Sequence, residues 1–401
     1  MDPEQTQIHY HQTTKHHYDR YARSAGYMDW ANQPNPFRLF EGVDPVQLPL
    51  SGQACTVGYE DLFSGDLEIG ASLDSESLGR FLRYAMGLSA WKQAGTSRWS
   101  LRINPSSGNL HPTECYVATP DFGGHAAAVH HYSPLLHALE PRANLPIQAW
   151  QAFRDHFGGQ GFLVGLTSIP WRESWKYGER AWRYCNLDVG HALAALALAC
   201  RLNGWRLSGL GAVGDDQIET VLGLGVTRWV PLEAEEPDLL CWVSVTAPQG
   251  PPPSNLPGEF IQACRDLSFT GTPNRLSART GDWPAITRAN RAALKPPEPL
   301  SAPALPAQAF RYTQGVSLPA TRVLSGRRSA VQFDPRRTMP GFCIRSTWSC
   351  SSTGSKVSSP ASTCCSAHRN RSRACGQRFA AILHGKAQTT TSPCGCCTPR
   401  T

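Results

Sequence analysis

A chain of 401 residues with 41% hydrophobic, 9% aromatic and 17% charged residues can bury a sizeable core, which excludes a small stapled scaffold and a chain disordered throughout. The formal charge of +7 invites nucleic acid or an anionic membrane as partner, but residues 341–401 carry eight basic and no acidic side chains. Residues 1–340 therefore sum to −1, and neither partner is expected.

Eight of the 14 cysteines fall in those last 61 residues, while Cys55, Cys115, Cys185, Cys200, Cys241 and Cys264 show no paired spacing. A reducing, cytoplasmic setting is expected. No uncharged apolar run reaches 18 residues; the nearest, Val189 to Cys200, is flanked by Asp188 and Arg201.

From Ile8 to Tyr27 the chain is aromatic, polar and His-rich, and a Pro/Asn bend follows at 33–36. This segment is expected to wrap a core as an exposed arm. His9, His11, His16 and His17 lack a Cys or carboxylate at ligand spacing, so no metal site is expected. Between Ser75 and Trp91, Leu78, Phe81, Leu82, Ala85 and Leu88 recur at three- and four-residue spacing, which predicts an amphipathic helix capped by Asp74 or Ser75. Cys115–Thr119 reads as a buried strand, His130–Tyr132 as its hairpin partner, and Phe162–Thr167 as another strand.

Tyr184 to Leu202 is the most apolar block and predicts a central helix buried on every side, with His191 as a satisfied core histidine. Gly204 closes it, Gly209-Leu210-Gly211 makes a tight connection, Asp215–Gln217 caps a short helix through Leu222, and Leu239–Val245 gives a last strand. These elements predict an α+β sandwich over residues 1–247, a central β-sheet with helices on both faces. Residues 248–320 then read as a Pro/Ala-rich linker.

The stretch Pro105-Ser106-Ser107-Gly108-Asn109-Leu110-His111-Pro112 is the most informative in the chain. Its small residues let backbone N–H groups approach a flat or anionic ligand, while Asn109 and His111 supply directed hydrogen bonds. Turn chemistry alone explains the same residues equally well.

This stretch resembles the flavin loop of the nitroreductase family, where Pro-Ser-x-x-Asn-x-Gln-Pro is usual. With His in place of Gln it is similar to the SagB/ThcOx-type dehydrogenases, a branch that includes azoline oxidases. Three further stretches are similar to that branch in the same order: His11–His16, Trp175–Tyr184 with Leu187–Ala192, and Gly209–Gly211. The resemblance covers about residues 8 to 245.

The resemblance implies an FMN-dependent oxidoreductase whose flavin lies between two copies of the fold, as in a homodimer. It implies a small-molecule or peptide substrate, with NAD(P)H or another electron donor or acceptor. By that likeness Ser106, Ser107, Gly108 and Asn109 lie beside the flavin ring and ribityl chain, with Pro105 and His111 in the same loop and Gly209 and Gly211 in the last motif. Thr14 and Lys15 stand where the wider family has Arg-Arg-Ser facing the phosphate. Lys176 and Tyr177 match a Lys-Tyr pair near the reacting carbon and are the candidates for proton transfer. A solvated helix start is the competing reading of that pair.

At residues 321–340, Arg327, Arg328 and Ser329 with Phe333 resemble the first strand-turn of a second nitroreductase unit, whose arginines face a flavin phosphate. No such unit follows. Residues 341–401 hold eleven Ser, eight Thr and eight Cys without periodicity. Out-of-frame translation is the preferred reading of this tail; a basic disordered tail and a metal- or nucleic-acid-binding appendage are its rivals. If the second unit is lost, a non-catalytic family member acting as a binding module is the alternative to an enzyme.

Overall fold

The computed structural model describes residues 2–50, 56–63, 70–246, 250–298 and 318–329. One unit comprises Met1–Leu300 and Gln308–Arg327; a second comprises Ser301–Ala307 and Arg328–Thr401. Of the second, Arg328 and Ser329 are described, in neither helix nor strand. The tail of residues 341–401, Phe333 and Cys55 lie outside the described residues.

Helix α1 (Pro3–Thr14) begins with a proline, whose missing N–H has no intrahelical partner to lose. The short strands β1 (Phe40–Glu41) and β2 (Val46–Gln47) follow. Helix α2 (Ser75–Met86) is amphipathic as its spacing predicts, with Leu78, Phe81, Leu82 and Ala85 fully buried. The Asp74 carboxylate accepts from the Ser77 N–H at 2.8 Å, and Ser77 Oγ accepts from the Asp74 N–H at 3.0 Å, a reciprocal cap. The helix ends at Met86 and not at Trp91. The Gly87 N–H closes it on the Leu82 and Arg83 carbonyls, and the chain turns into β3 (Leu88–Ala94), which among the described residues pairs with β4 (Ser97–Arg102) alone.

Strands β5 (Thr113–Thr119), β6 (Ala128–Ser133), β7 (Ala138–Asn144), β8 (Gly161–Ser168), β9 (Arg206–Gly209) and β10 (Glu236–Ser244) join β2 in one antiparallel sheet. Its order is β2-β7-β6-β5-β8-β10-β9. The remaining helices are α3 (Ile147–Phe157), α4 (Pro170–Tyr177), α5 (Ala181–Leu202), α6 (Asp215–Leu222), α7 (Gly258–Arg265), α8 (Pro284–Ala293) and α9 (Ala320–Gly326), and strand β11 (Thr272–Pro273) pairs with β1.

Every residue of β5, β6 and β8 is buried, because both sheet faces are covered. Cys115 and Val117 pack with α2 and α5 (Phe81, Leu82, Ala192, Leu196), whereas Tyr116 and Ala118 pack with α3, α6 and α7 (Phe153, Val221, Phe260). The predicted α+β sandwich is therefore the observed fold. Cys115, Cys185, Cys200, Cys241 and Cys264 are free and buried.

Three expectations change. Helix α5 is buried on one side only: Leu187, Gly190, His191, Ala194 and Ala197 recur at three- and four-residue spacing on an exposed stripe. His191 is thus a surface residue. Alanine favours the helix without requiring burial, so the apolar block overstated the core. Second, residues 258–293 are not linker. Phe260 is fully buried under the sheet, and Gln7 of α1 donates to the Ala289 carbonyl of α8. The prolines at the starts of α7 and α8 begin helices instead of preventing them. Third, residues 320–326 form α9, whose fully buried Ala320 packs with Leu62 and Leu202 of the first unit. The division falls after Arg327, not at 321.

Candidate functional site

The loop between β4 and β5 is held in an unusual backbone form. Gly108, Asn109 and His111 all have positive φ, at 62°, 61° and 52°. Such angles suit glycine and are adopted, at some cost, by asparagine and histidine. Specific bonds offset that cost. Ser106 Oγ accepts from the His111 N–H at 2.8 Å, and Asn109 Nδ2 donates to the Ser100 carbonyl at 2.9 Å. The Arg172 guanidinium, fully buried on α4, donates to the His111 carbonyl at 2.7 Å.

Asp188, buried on α5, accepts from the Ser107 N–H at 3.0 Å and from the Ser107 hydroxyl at 2.9 Å. Ser107 therefore clamps the loop to α5 and has no donor left over for a ligand. Burial raises Asp188 above the ordinary aspartate range, and the bonds from Ser106 and Ser107 work against that rise.

Lys176 and Tyr177 lie half-buried at the C-terminal end of α4, not at a helix start. They converge on the loop: a Cβ added to Gly108 would lie 2.6 Å from Tyr177 Oη and 2.9 Å from Lys176 Nζ. Burial, with Glu173 and Asp188 nearby, raises Tyr177 well above the usual phenol range, so its hydroxyl keeps its proton at neutral pH. The structure thus joins two motifs that are about 70 residues apart in sequence.

His111 is buried, and burial together with Arg102 and Arg172 lowers it well below the usual imidazole range. It is neutral. Asn109 donates through its amide to Ser100, so its oxygen accepts from His111 Nε2 at 3.0 Å, which leaves Nδ1 as an unprotonated acceptor without a partner among the described residues. Asn104 Oδ1 is likewise buried and unpartnered.

Thr14 and Lys15 fall at the end of α1. Thr14 is fully buried and donates its hydroxyl to the Tyr10 carbonyl at 2.7 Å, whereas Lys15 is exposed. The cations brought to this point are ones the sequence reading did not select: Arg180 donates to the Thr14 carbonyl, and Arg183 to Thr14 Oγ1 at 3.1 Å. From there contacts run through Arg180 to Tyr184 Oη at 3.2 Å, and from the Tyr184 ring to that of Tyr177 at 4.3 Å between centroids. The helical spacing of Arg180, Arg183 and Tyr184 was the signal available.

Arg327 Nη2 donates to the Ile103 carbonyl at 3.3 Å, at the entrance to the loop. Gly209 and Gly211 are not brought to it. Gly209 pairs with Cys241, Cys241 with Val164 and Val164 with Val117, which sets Gly209 three strands from β5, about 14 Å at ordinary strand spacing.

Behind the loop lies a buried ionic network that sequence reasoning missed. Glu114 bonds to Arg172, lies 3.2 Å from His131 Nε2 and faces Arg102; His131 Nδ1 in turn lies 2.7 Å from Glu140. Burial opposes charge on Glu114, but Arg172, His131 and Arg102 outweigh it and hold the carboxyl well below its usual range. Burial also opposes charge on His131, and the bonds to Glu114 and Glu140 outweigh it, raising the imidazole to about 9.

The loop can accept a flat, polar-rimmed group such as FMN. Gly108 is exposed although a Cβ there would meet Tyr177 Oη and Lys176 Nζ, and buried His111 Nδ1 and Asn104 Oδ1 lack partners among the described residues.

Residues 72–234 match the family described as the nitroreductase family. A Methanocaldococcus jannaschii protein named as a putative nitroreductase is 25% identical over 131 residues, which is 32% of this chain and 66% of that protein. The match thus spans just under two thirds of that relative's length. A solved structure titled as a putative nitroreductase from Anabaena variabilis shares 21% identity, covering 64% of this chain and 53% of its own, with a TM-score of 0.45. The Escherichia coli microcin synthetase McbBCD complex with truncated pro-MccB17 bound shares 17%, covering 51% and 78%, with a TM-score of 0.35.

Proposed function

From a nitroreductase-family domain at residues 72–234, we propose that the protein is an FMN-dependent oxidoreductase of the SagB/ThcOx type. Its reaction is a two-electron hydride exchange with a small-molecule or peptide substrate. The observation that carries this reading is the convergence of Lys176 Nζ and Tyr177 Oη on Gly108 within the Pro105–His111 loop.

FMN, when bound, supplies a ring that accepts or gives a hydride. The chain's own residues do the rest. Asp188 and Arg172 fix the loop, and Gly108, Asn104 and His111 would hold the group, the last two through their acceptor atoms. Lys176 and Tyr177 hold the proton that must accompany hydride transfer. Arg180, Arg183, Lys15 and Arg327 supply positive charge for a phosphate.

The exposed stripe of α5, with Leu187, Ala194 and Ala197, suits a homodimer contact. NAD(P)H or another small donor or acceptor, a cytoplasmic setting, and no nucleic-acid or membrane partner complete the proposal.

Colour tests it. Purified protein should carry flavin absorbance or regain it on incubation with FMN. Protein that stays colourless after FMN addition would instead support the non-catalytic binding module.

A further inference from the structure

Glu173 lies in the middle of α4, fully buried, and neither of its carboxyl oxygens has a hydrogen-bond partner among the described residues. A buried carboxyl without partners lowers stability, and an apolar residue of similar size would fit more cheaply. Its position explains why an acid could be kept. Glu173, Lys176 and Tyr177 are spaced i, i+3 and i+4 on one helix, so they share a face. That face bears on Gly108, where Lys176 Nζ and Tyr177 Oη converge.

The groups facing Glu173 are Lys176 and Tyr177 from its own helix and Asp188 and Cys185 from α5. Asp188 is the carboxyl whose charge the loop stabilises, because Ser107 donates to it twice. Burial disfavours charge on both carboxyls and each disfavours it on the other, so Glu173, which receives no hydrogen bond among the described residues, is the protonated member. Burial first, and then the charge on Asp188, push Glu173 well above the usual carboxyl range.

We propose that Glu173 is a positioning residue, a buried acid that restores the proton of the Lys176–Tyr177 pair after that pair has given one up. This rests on the flavin reading above. The step is a proton transfer alone: the Glu173 side chain, held by no hydrogen bond among the described residues, turns toward the pair, its carboxyl O–H bond breaks, an O–H bond forms on Tyr177, and no electron moves. The proton returns to Glu173 from solvent through the half-buried Lys176.

Glu173→Gln keeps the shape and neutrality but has no proton to give. Two measurements read the difference. In the infrared spectrum at neutral pH, wild type minus E173Q should show a protonated-carboxyl C=O band that shifts in D2O, and this reading needs no flavin. In the FMN-loaded proteins, the midpoint potential followed against pH should show a change of slope in wild type that is lost in E173Q, with FMN content unchanged. An absent carboxyl band, or superimposable potential curves, overturns the proposal. If E173Q does not fold, wild type alone decides: its infrared difference between oxidised and reduced protein must show a protonated carboxyl perturbed by reduction, and a spectrum without one overturns the proposal. Wild type that binds no FMN defeats the flavin reading instead, and the flavin-free infrared result then still reports whether Glu173 holds a proton.

Discussion

Asp188 on α5 receives two hydrogen bonds from Ser107, one from its N–H at 3.0 Å and one from its hydroxyl at 2.9 Å, and so ties the loop to the longest helix. Asp188→Asn keeps an oxygen at the Oδ1 position that still accepts from both Ser107 donors, but loses the charge and sets an NH2 group against the Ser107 N–H at the Oδ2 position. The expected cost is about 1 kcal/mol of stability from exchanging a charged acceptor for a neutral one. Loosened FMN binding should accompany it. Thermal unfolding and FMN fluorescence titration check both, and a variant that matches wild type in both measurements removes Asp188 from the account.

Gly108 is needed for two separable reasons, its φ of 62° and the lack of room for a Cβ beside Tyr177 and Lys176. Gly95 has a similar φ of 57° with nothing within 4 Å, so it serves as the control. Gly95→Ala should cost only the left-handed strain, about 1–2 kcal/mol. Gly108→Ala should cost more and should also displace Lys176 and Tyr177. Unfolding free energies and FMN retention of the two variants give the comparison; equal losses would mean that the pair does not press on the loop.

Small residues around Gly108 marked the loop, though turn chemistry explained them equally well, and the Lys176–Tyr177 pair was singled out by its resemblance to an azoline-oxidase pair and not by local chemistry. Helix α2 and strands β5 and β8 were legible from periodicity and apolar runs. The ionic network was not. Glu114, His131 and Glu140 occupy strand positions where a polar residue ordinarily faces solvent, and only the pairing of β5 with β6 and of β6 with β7 reveals that they meet. Arg180 and Arg183 were hidden in another way, since a helix rich in arginine reads as a solvated face until α1 is placed against it. The folded part of residues 248–320 was masked by its prolines, which read as interruption although two of them start helices.

Tyr177→Phe removes one hydroxyl and keeps the ring contact with Tyr184. If Tyr177 carries the proton, turnover with NAD(P)H and a quinone or nitroaromatic acceptor should fall roughly 100-fold to 10,000-fold, the usual range for a general acid or base. FMN content should not change. Steady-state kinetics normalised to bound flavin is the measurement, and a fall of less than threefold would assign the proton to Lys176 alone.

The sheet behind the loop should give the protein a characteristic pH response. His131 is fully buried between Glu114 and Glu140, and its folded-state pKa is raised from 6.5 to about 9. A raised pKa means that the folded state holds the proton more tightly than the unfolded chain does. Its contribution is therefore complete below pH 6.5 and is lost as pH rises to about 9. At most about 3 kcal/mol is at stake from this group. Glu114 works in the opposite sense: its lowered pKa gives a contribution present above the ordinary carboxylate range and lost in acid. Denaturant unfolding from pH 5 to 10 should show wild-type stability declining on the alkaline side. In His131→Gln, which cannot titrate, the whole curve should lie lower and that alkaline decline should flatten. A wild-type curve that stays level up to pH 10 would mean that the imidazole is not held charged between the two glutamates.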